Sequence, residues 1–173
     1  MTVNNNSIKG KTKGILMYDV HKSKITGNYI NLKKAKSAGF KTDLICIQKG
    51  STGNTVSGNR LYNCKGYGIN VLQGGKKNTF SKNSISGVTD HGINIYDRGT
   101  ANKVYYNKIK NCRKNGINIS KKSSATIKGN RVSKYKKYGV CIYNKSRAKI
   151  KGNKISGGGS KKINVNKASK RLK

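Results

Sequence analysis

The residues best suited to chemistry lie close together near the middle of the chain, in the stretch DHGINIYDRG at 90–99. The sequence has only four Asp, no Glu and two His, yet Asp90 and His91 are neighbours and Asp97 directly precedes Arg98. A carboxylate beside an imidazole can move protons near neutral pH, and a guanidinium can hold an anionic group. Whether these side chains meet depends on the elements that carry them.

A repeat runs through almost the whole sequence and predicts those elements. An Asn with an apolar residue three positions before it and another two positions after it recurs at spacings of 31, 24, 24, 23 and 23, at Asn28, Asn59, Asn83, Asn107, Asn130 and Asn153. Nine residues after most of these Asn begins an alternating segment, such as GINV at 68 or GINI at 92. Periods of this length are typical of solenoids.

The repeat predicts an all-β fold of about seven coils with 23–24 residues each, and about three short strands in each coil. At a strand spacing of ~4.8 Å, Asn5 through Asn153 are expected to form a ladder of stacked amides. The absence of Pro agrees, because each strand needs its N–H groups. We expect one domain over 1–173, forming part of a longer solenoid, with an inserted loop at 33–40 and a basic tail at 166–173.

Aligning the coils places titratable groups on one corner, just before the strand that each GINI-like segment forms. The position before that strand is occupied in successive coils by Lys13, Asp43, Tyr67, His91, Asn115 and Tyr138. The preceding position carries Thr42, Gly66, Asp90, Lys114 and Lys137. The inserted loop would rise beside this corner, and insertions in solenoids often lie on the binding face.

These coils resemble the right-handed parallel β-helix repeat proteins, which include pectate lyases, polygalacturonases, mannuronan epimerases and phage tailspikes. The resemblance implies a single-stranded right-handed parallel β-helix. Thr42 and Asp43 match part of one polygalacturonase motif, and His91 with Gly92 matches part of another. The middle Asp-Asp of that family is replaced here by Gly66 and Tyr67, so its general acid is missing.

The resemblance also suggests lyase or epimerase chemistry on uronates, in which a base removes the proton α to a carboxylate. His91 or Tyr67 is the candidate base, and Lys114 or Arg98 the candidate clamp for the carboxylate. The Asp-Pro-His of mannuronan epimerases is matched only loosely by Asp90 and His91. The candidate catalytic residues are Asp43, Tyr67, Asp90 and His91, and the candidate substrate-binding residues are Lys41, Asp97, Arg98, Lys114 and Tyr138.

A simpler interpretation stands beside each of these assignments. Asp90 and Asp97 are typical turn residues, because Asp hydrogen-bonds its own backbone. His91 is equally consistent with a solvated corner position, and Tyr67 and Tyr138 with stacking along the rod. The residue types leave both interpretations open.

The formal charge of +35 favours polyanionic partners. An acidic polysaccharide, bound with or without cleavage or epimerisation, is the preferred hypothesis. The alternative is a non-catalytic structural or adhesion repeat that its charge tethers to an anionic cell surface. Nucleic acid ranks last, since Lys outnumbers Arg by 33 to 6 and forked phosphate contacts favour Arg.

No cofactor or metal is expected, because the four Cys show no metal-binding spacing and Ca²⁺ prefers several carboxylates. Cys64 and Cys112 fall two coils apart in one row, about 9.6 Å at the strand spacing, which is too far for a disulfide. The sequence shows neither a signal peptide nor an apolar run of transmembrane length. The resemblance implies an extracellular or cell-envelope location, and the oligomeric state is left open.

Overall fold

The computed structural model describes residues 1–10, 13–33, 42–166 and 168–172, which contain strands and turns but no helix. The chain winds through three parallel sheets, and each complete coil adds one strand to each sheet. The prediction of an all-β solenoid with about seven coils is confirmed.

The strands of each sheet follow one another in coil order. Sheet A contains β1 (Thr2–Asn4), β4 (Lys24–Thr26), β7 (Thr55–Ser57), β10 (Thr79–Ser81), β13 (Asn102–Tyr105), β16 (Ser124–Lys128), β19 (Arg147–Lys151) and β22 (Lys170–Leu172). Sheet B contains β2 (Ser7–Lys9), β5 (Tyr29–Asn31), β8 (Arg60–Cys64), β11 (Ser84–Val88), β14 (Lys108–Cys112), β17 (Arg131–Tyr135) and β20 (Lys154–Ser156). Sheet C contains β3 (Ile15–Tyr18), β6 (Ile45–Gln48), β9 (Ile69–Val71), β12 (Ile93–Ile95), β15 (Ile117–Ile119), β18 (Tyr138–Ile142) and β21 (Lys161–Val165).

The core is a narrow column that the three sheets enclose. Inward-facing side chains form apolar rows, and in the central coils a strand of sheet A contributes one such row, whereas a strand of sheet B or C contributes two. In the central coils these rows are fully buried, as shown by Ile85, Ile93 and Ile95. The column includes two buried aromatic residues, Phe80 and Tyr135. Short β-branched residues suit this interior because one residue per coil must fill a fixed cross-section.

The asparagine ladder is confirmed, with one correction in the first coil. At the turn between sheets A and B, Asn107 donates both its backbone N–H and its side-chain N–H to Oδ1 of Asn130, at 2.9 and 3.0 Å. The same pairing continues from Asn28 to Asn153. The assignment of Asn5 was wrong, because Asn6 makes these contacts to Asn28. Asn5 instead holds the preceding turn position at φ 53°, a conformation that Asn tolerates well.

The sequence analysis overlooked a second ladder at the start of the sheet A strands, although Asn54, Asn78 and Asn102 recur at spacings of 24. The backbone N–H of Asn54 donates to Oδ1 of Asn78, and that of Asn78 donates to Oδ1 of Asn102. In the later coils the acceptor comes from the residue directly before the sheet A strand: the N–H of Ser123 donates to Oγ of Ser146. Both turns that flank sheet A are therefore held by side-chain acceptors.

The structure describes the predicted tail almost completely, but the predicted inserted loop only in part. Residues 34–40 of the predicted inserted loop lie outside the described residues. The predicted basic tail contains β22, which pairs with β19 and extends sheet A by one strand.

Candidate functional site

The corner that the sequence singled out is formed as aligned. We call Lys13, Asp43, Tyr67, His91, Asn115 and Tyr138 the corner row, which lies between sheets B and C. The N–H of the residue after each corner position donates to the carbonyl of the next corner residue, as Gly68 does to His91 at 3.2 Å and Gly92 to Asn115 at 3.1 Å. Successive corner residues are therefore stacked one coil apart.

Three corner residues, Asp43, His91 and Asn115, each make the same kind of hydrogen bond to the next coil. Oδ1 of Asp43 accepts the backbone N–H of Tyr67 at 3.0 Å. Nδ1 of His91 accepts the N–H of Asn115 at 3.0 Å, and Oδ1 of Asn115 accepts the N–H of Tyr138 at 3.2 Å. Asp, His and Asn therefore have the same structural role here, because the side chain of each accepts the backbone N–H of the corner residue in the next coil.

His91, Asp90 and Lys114 form the most buried cluster of ionisable groups at the corner. Because Nδ1 of His91 accepts a hydrogen bond, the neutral ring carries its proton on Nε2, which lies 3.5 Å from Oδ1 of Asp90. Lys114 Nζ donates to Oδ2 of Asp90 at 3.0 Å. The side chains of Asp90 and His91 are only 4% and 11% exposed, whereas that of Lys114 is 42% exposed. The lysine therefore presents the positive end of this cluster to solvent.

The departure at Gly66 and Tyr67 from the polygalacturonase pattern has a local structural cause. A Cβ at Gly66 would lie 2.6 Å from Oδ1 of Asp43 and 2.8 Å from the carbonyl oxygen of Thr42, so a side chain does not fit there. The ring of Tyr67 lies over the next coil, with its centroid 5.7 Å from that of His91. At Gly66, therefore, Asp43 and Thr42 of the coil before it occupy the space that a side chain would need.

The outer face of sheet C carries a polar row that the sequence analysis overlooked. Asn70, Asn94 and Asn118 point away from the core, yet are 3%, 4% and 1% exposed. The side-chain amide of Asn118 donates to Asn94, that of Asn94 to Asn70, and that of Asn70 to Oδ2 of Asp43 at 2.8 Å. The row continues through Cys141 and Asn164 in the last coils, and we call the strip between this row and the corner row the groove. The recurring Asn of GINV and GINI was the available signal.

A pocket of about 400 Å³ opens in this groove on the C-terminal coils. Its walls combine two ammonium groups, two tyrosines and several amides, from His91, Lys114, Asn115, Lys137, Tyr138, Cys141, Tyr143, Asn164 and Asn166. Lys114 and Tyr138 were predicted as binding residues, and the structure brings them together. Lys137 and Tyr143 were not predicted, although Tyr143 follows directly after the strand that begins at Tyr138.

Asp97 and Arg98 lie elsewhere, at the opposite end of β12, in the turn from sheet C to sheet A. Both have left-handed backbone conformations, with φ values of 55° and 59°. Asp97 contacts Arg98 at 3.5 Å and Lys121 at 3.7 Å. They line a separate open pocket of about 700 Å³ with residues of the two preceding coils. The structure therefore does not join them to the corner row, and Lys41 lies outside the described residues.

The cysteines beside the corner are not poised as nucleophiles. Burial raises the pKa of the Cys64 and Cys112 thiols to about 12, and burial together with Asp43 raises that of Cys46 to about 12. Such thiols are protonated at neutral pH. Among the residues that the structure describes, no three His, Cys, Asp or Glu side chains are grouped as metal ligands. The described part of the chain also has no helix of the length and apolarity needed to cross a membrane.

Comparisons with known proteins agree with this architecture. The family described as "Right handed beta helix region" matches residues 1–155 and 92–172. Two solved structures of the periplasmic alginate epimerase AlgG are similar in fold. A double mutant has a TM-score of 0.79 at 15% identity over 99% of this chain, and a second structure has 0.73 at 16% over 95%.

The chain spans about half the length of these epimerases, 49% and 44% respectively. No curated protein matches the sequence. At such low identity the epimerases establish a shared fold and leave the chemistry of this site to its own residues. Three parallel sheets, about seven coils and a family match across nearly the whole chain lead to one conclusion: this protein belongs to the right-handed β-helix family.

Proposed function

We propose that this chain binds an acidic polysaccharide in the groove on the outer face of sheet C, without modifying it. The observation that carries the proposal is the pocket at its C-terminal end, where Lys114 and Lys137 stand beside the rings of Tyr138 and Tyr143. Ammonium groups attract carboxylates, and tyrosine rings offer flat apolar surfaces with a polar tip to a sugar ring. The fold shared with the alginate epimerases, whose name refers to an acidic polysaccharide, supports the same class of ligand.

The amides of the groove suit a hydroxyl-rich ligand. Asn164 and Asn166 line the pocket, and a side-chain amide can both donate and accept. A neutral polymer could use these groups as well. The positive charge of Lys114 and Lys137 is what selects a charged sugar.

The contacts of two candidate catalytic residues, Asp43 and His91, support binding without turnover. A general base needs a free acceptor atom within reach of the substrate proton. Nδ1 of His91 accepts a backbone N–H, and its Nε2 is directed at Asp90. Both oxygens of Asp43 accept hydrogen bonds, from Tyr67 and Asn70. These groups hold neighbouring coils together, so we assign them a structural role.

The decisive experiment measures binding of polygalacturonate, alginate and a neutral glucan over a series of salt concentrations. Absorbance of unsaturated uronate and NMR of the recovered polymer are followed in the same samples. We expect binding of the two acidic polymers that weakens with salt, weak binding of the glucan, and unchanged polymer. Turnover that His91→Ala abolishes would replace this proposal with an enzymatic one.

A matched pair of double variants tests whether the polysaccharide binds at the pocket. Lys137→Gln with Tyr138→Ala removes one cation and one ring from the pocket. Lys108→Gln with Tyr62→Ala removes the same groups from the outer face of sheet B. We expect the first variant to weaken alginate binding about tenfold, equivalent to about 1.4 kcal/mol, and the second to have little effect. Equal losses would show that total charge, and not the groove, determines binding.

A further inference from the structure

The outer face of sheet A changes character along the rod. In β7 and β10 its outward-facing positions are half-buried neutral hydroxyls, with Thr55 paired to Thr79 and Ser57 to Ser81. From β13 onward the same face carries six exposed cations, Lys103, Lys128, Arg147, Lys149, Lys151 and Lys170. The change occurs within one continuous sheet, and the net charge of the whole chain does not account for it.

This half of sheet A is free of compensating acids. All four Asp of the protein lie at the ends of sheet C strands, and no Asp or Glu follows Asp97 in the sequence. Within the sheet, Lys128 is directly paired with Lys151, and Arg147 with Lys170. Like charges placed directly opposite on neighbouring strands destabilise a sheet. A bound anionic surface would relieve this repulsion.

The arrangement of the cations indicates the shape of the partner. They occupy three parallel rows on one sheet, so a single polymer chain laid along the rod would reach one row at a time. A planar anionic surface can contact all six together. Leu172, which is 44% exposed, and Tyr105 lie among these cations and add apolar contacts.

We infer that the basic half of sheet A, which we call the basic face, docks the solenoid onto an anionic lipid membrane surface. Clusters of four to eight Lys and Arg are typical of sites that bind anionic headgroups, and each contributes about fivefold to partitioning. The groove on sheet C lies on another face and stays open to solvent in this orientation. The inference is independent of what the groove binds.

The test measures sedimentation with phosphatidylcholine vesicles that contain or lack phosphatidylglycerol, at about 0.15 M salt, where screening acts over about 8 Å. One variant replaces the six cations of the basic face by Gln. The matched control replaces six exposed or half-exposed cations near the corner between sheets B and C, which does not border sheet A: Lys65, Lys110, Arg113, Lys134, Lys136 and Lys161.

Both variants lose the same charge, and circular dichroism checks that each is folded. We expect the wild type to bind only the anionic vesicles. The variant of the basic face should lose at least about 100-fold in partitioning, and the control less than about tenfold. Equal losses in both variants, or no binding by the wild type, would overturn the inference.

A second readout does not depend on removing charge. The protein has no Trp, so a single introduced Trp reports its own surroundings. Tyr105→Trp lies on the basic face and Tyr62→Trp on the outer face of sheet B. Anionic vesicles should shift the emission of the first to the blue and leave the second unchanged. A shift at position 62 alone would place the membrane against another face. Vesicle binding retained by the Lys137→Gln, Tyr138→Ala variant would separate this surface from the groove.

Discussion

The asparagine ladder and the corner row are two stacks of the same kind, with one residue in each coil, yet their residue types differ sharply. The ladder keeps Asn from Asn28 to Asn153, whereas the corner row changes type at almost every coil. Each ladder Asn uses its side-chain N–H and its oxygen at once, to two neighbouring coils. A corner residue needs only one acceptor atom. Residue type is therefore fixed where a side chain is enclosed by two coils, and is free to vary where one contact suffices.

This difference changes the meaning of the acidic and imidazole groups. Asp43, His91 and Asn115 look like unrelated chemical groups in the sequence, but they accept the same type of backbone N–H. Their variety therefore does not by itself indicate catalysis. Variation bears on binding at Tyr138 of the row and at its neighbours Lys114 and Lys137, which line the pocket.

The largest effect should come from breaking the ladder. Asn107→Ala removes a buried side chain that donates to the carbonyl of Phe80 and to Asn130, and that accepts from Asn83. Each buried group left without a partner costs about 1–3 kcal/mol. We therefore expect the free energy of unfolding, measured in urea, to fall by about 3 kcal/mol. Asn4→Ala, at an exposed position of β1, is the control and should change stability little. A small loss at Asn107 would mean that the ladder is replaceable, as the corner is.

Removal of an acceptor from the corner should cost less. Asp43→Ala leaves the N–H of Tyr67 and the amide of Asn70 without their acceptor. We expect a loss of about 2 kcal/mol. Asp43→Asn keeps one oxygen for the backbone N–H and should recover about half of that loss in the same urea titration. If Asp43→Asn is as unstable as Asp43→Ala, the negative charge is needed and the corner is not a set of interchangeable acceptors.

The regular part of this fold could be predicted from the sequence because one spacing generates every coil. The apolar residues around Asn83 and Asn107 indicated two sheets, and GINI at 92 indicated the third. Asn5 was misassigned because Asn suits both the turn position and the ladder position, and Asn6 stands next to it. The alignment also placed Asp43, Tyr67 and His91 in one row.

The contacts of that row could not be predicted, because they depend on which atom faces the next coil. The sequence did not show that Nδ1 of His91 faces a backbone N–H, nor that Asp97 lies across the sheet from Asp90. Lys137 was aligned with Lys114 but was not named as a binding residue, and Tyr143 lay outside the aligned corner, at the other end of its strand. Repeats predict where a residue lies, and the orientation of its side chain decides what it does.

Residue type also varies in one buried row, on the inner face of sheet B. Cys112 is paired with Val88 and Tyr135, and burial raises its thiol pKa from 9.0 to about 12. The folded protein therefore holds this proton while the unfolded chain releases it, so its contribution to stability is complete below pH 9 and is lost as pH rises toward 12. We expect urea unfolding to show a loss of about 1 kcal/mol at pH 10 relative to pH 8 from this group. Cys112→Val should remove that part of the pH dependence, and an unchanged profile would contradict the assignment.

The smallest effect should come from His91, and it separates the two interpretations of the corner. His91→Ala leaves the N–H of Asn115 without its acceptor, close enough to solvent for water to replace the ring. We therefore expect a loss of about 1 kcal/mol, at the low end for such a group. His91→Asn offers an oxygen in place of Nδ1, as Asn115 does for the next coil, and should restore most of the stability. An acceptor role predicts that His91→Asn behaves like the wild type in urea unfolding and in alginate binding. A base role predicts that Asn, which has no titratable nitrogen, fails as completely as Ala in any assay of turnover. Because the two roles give opposite results for one conservative variant, His91→Asn decides whether variation along the corner row reflects chemistry or only the tolerance of a single hydrogen bond.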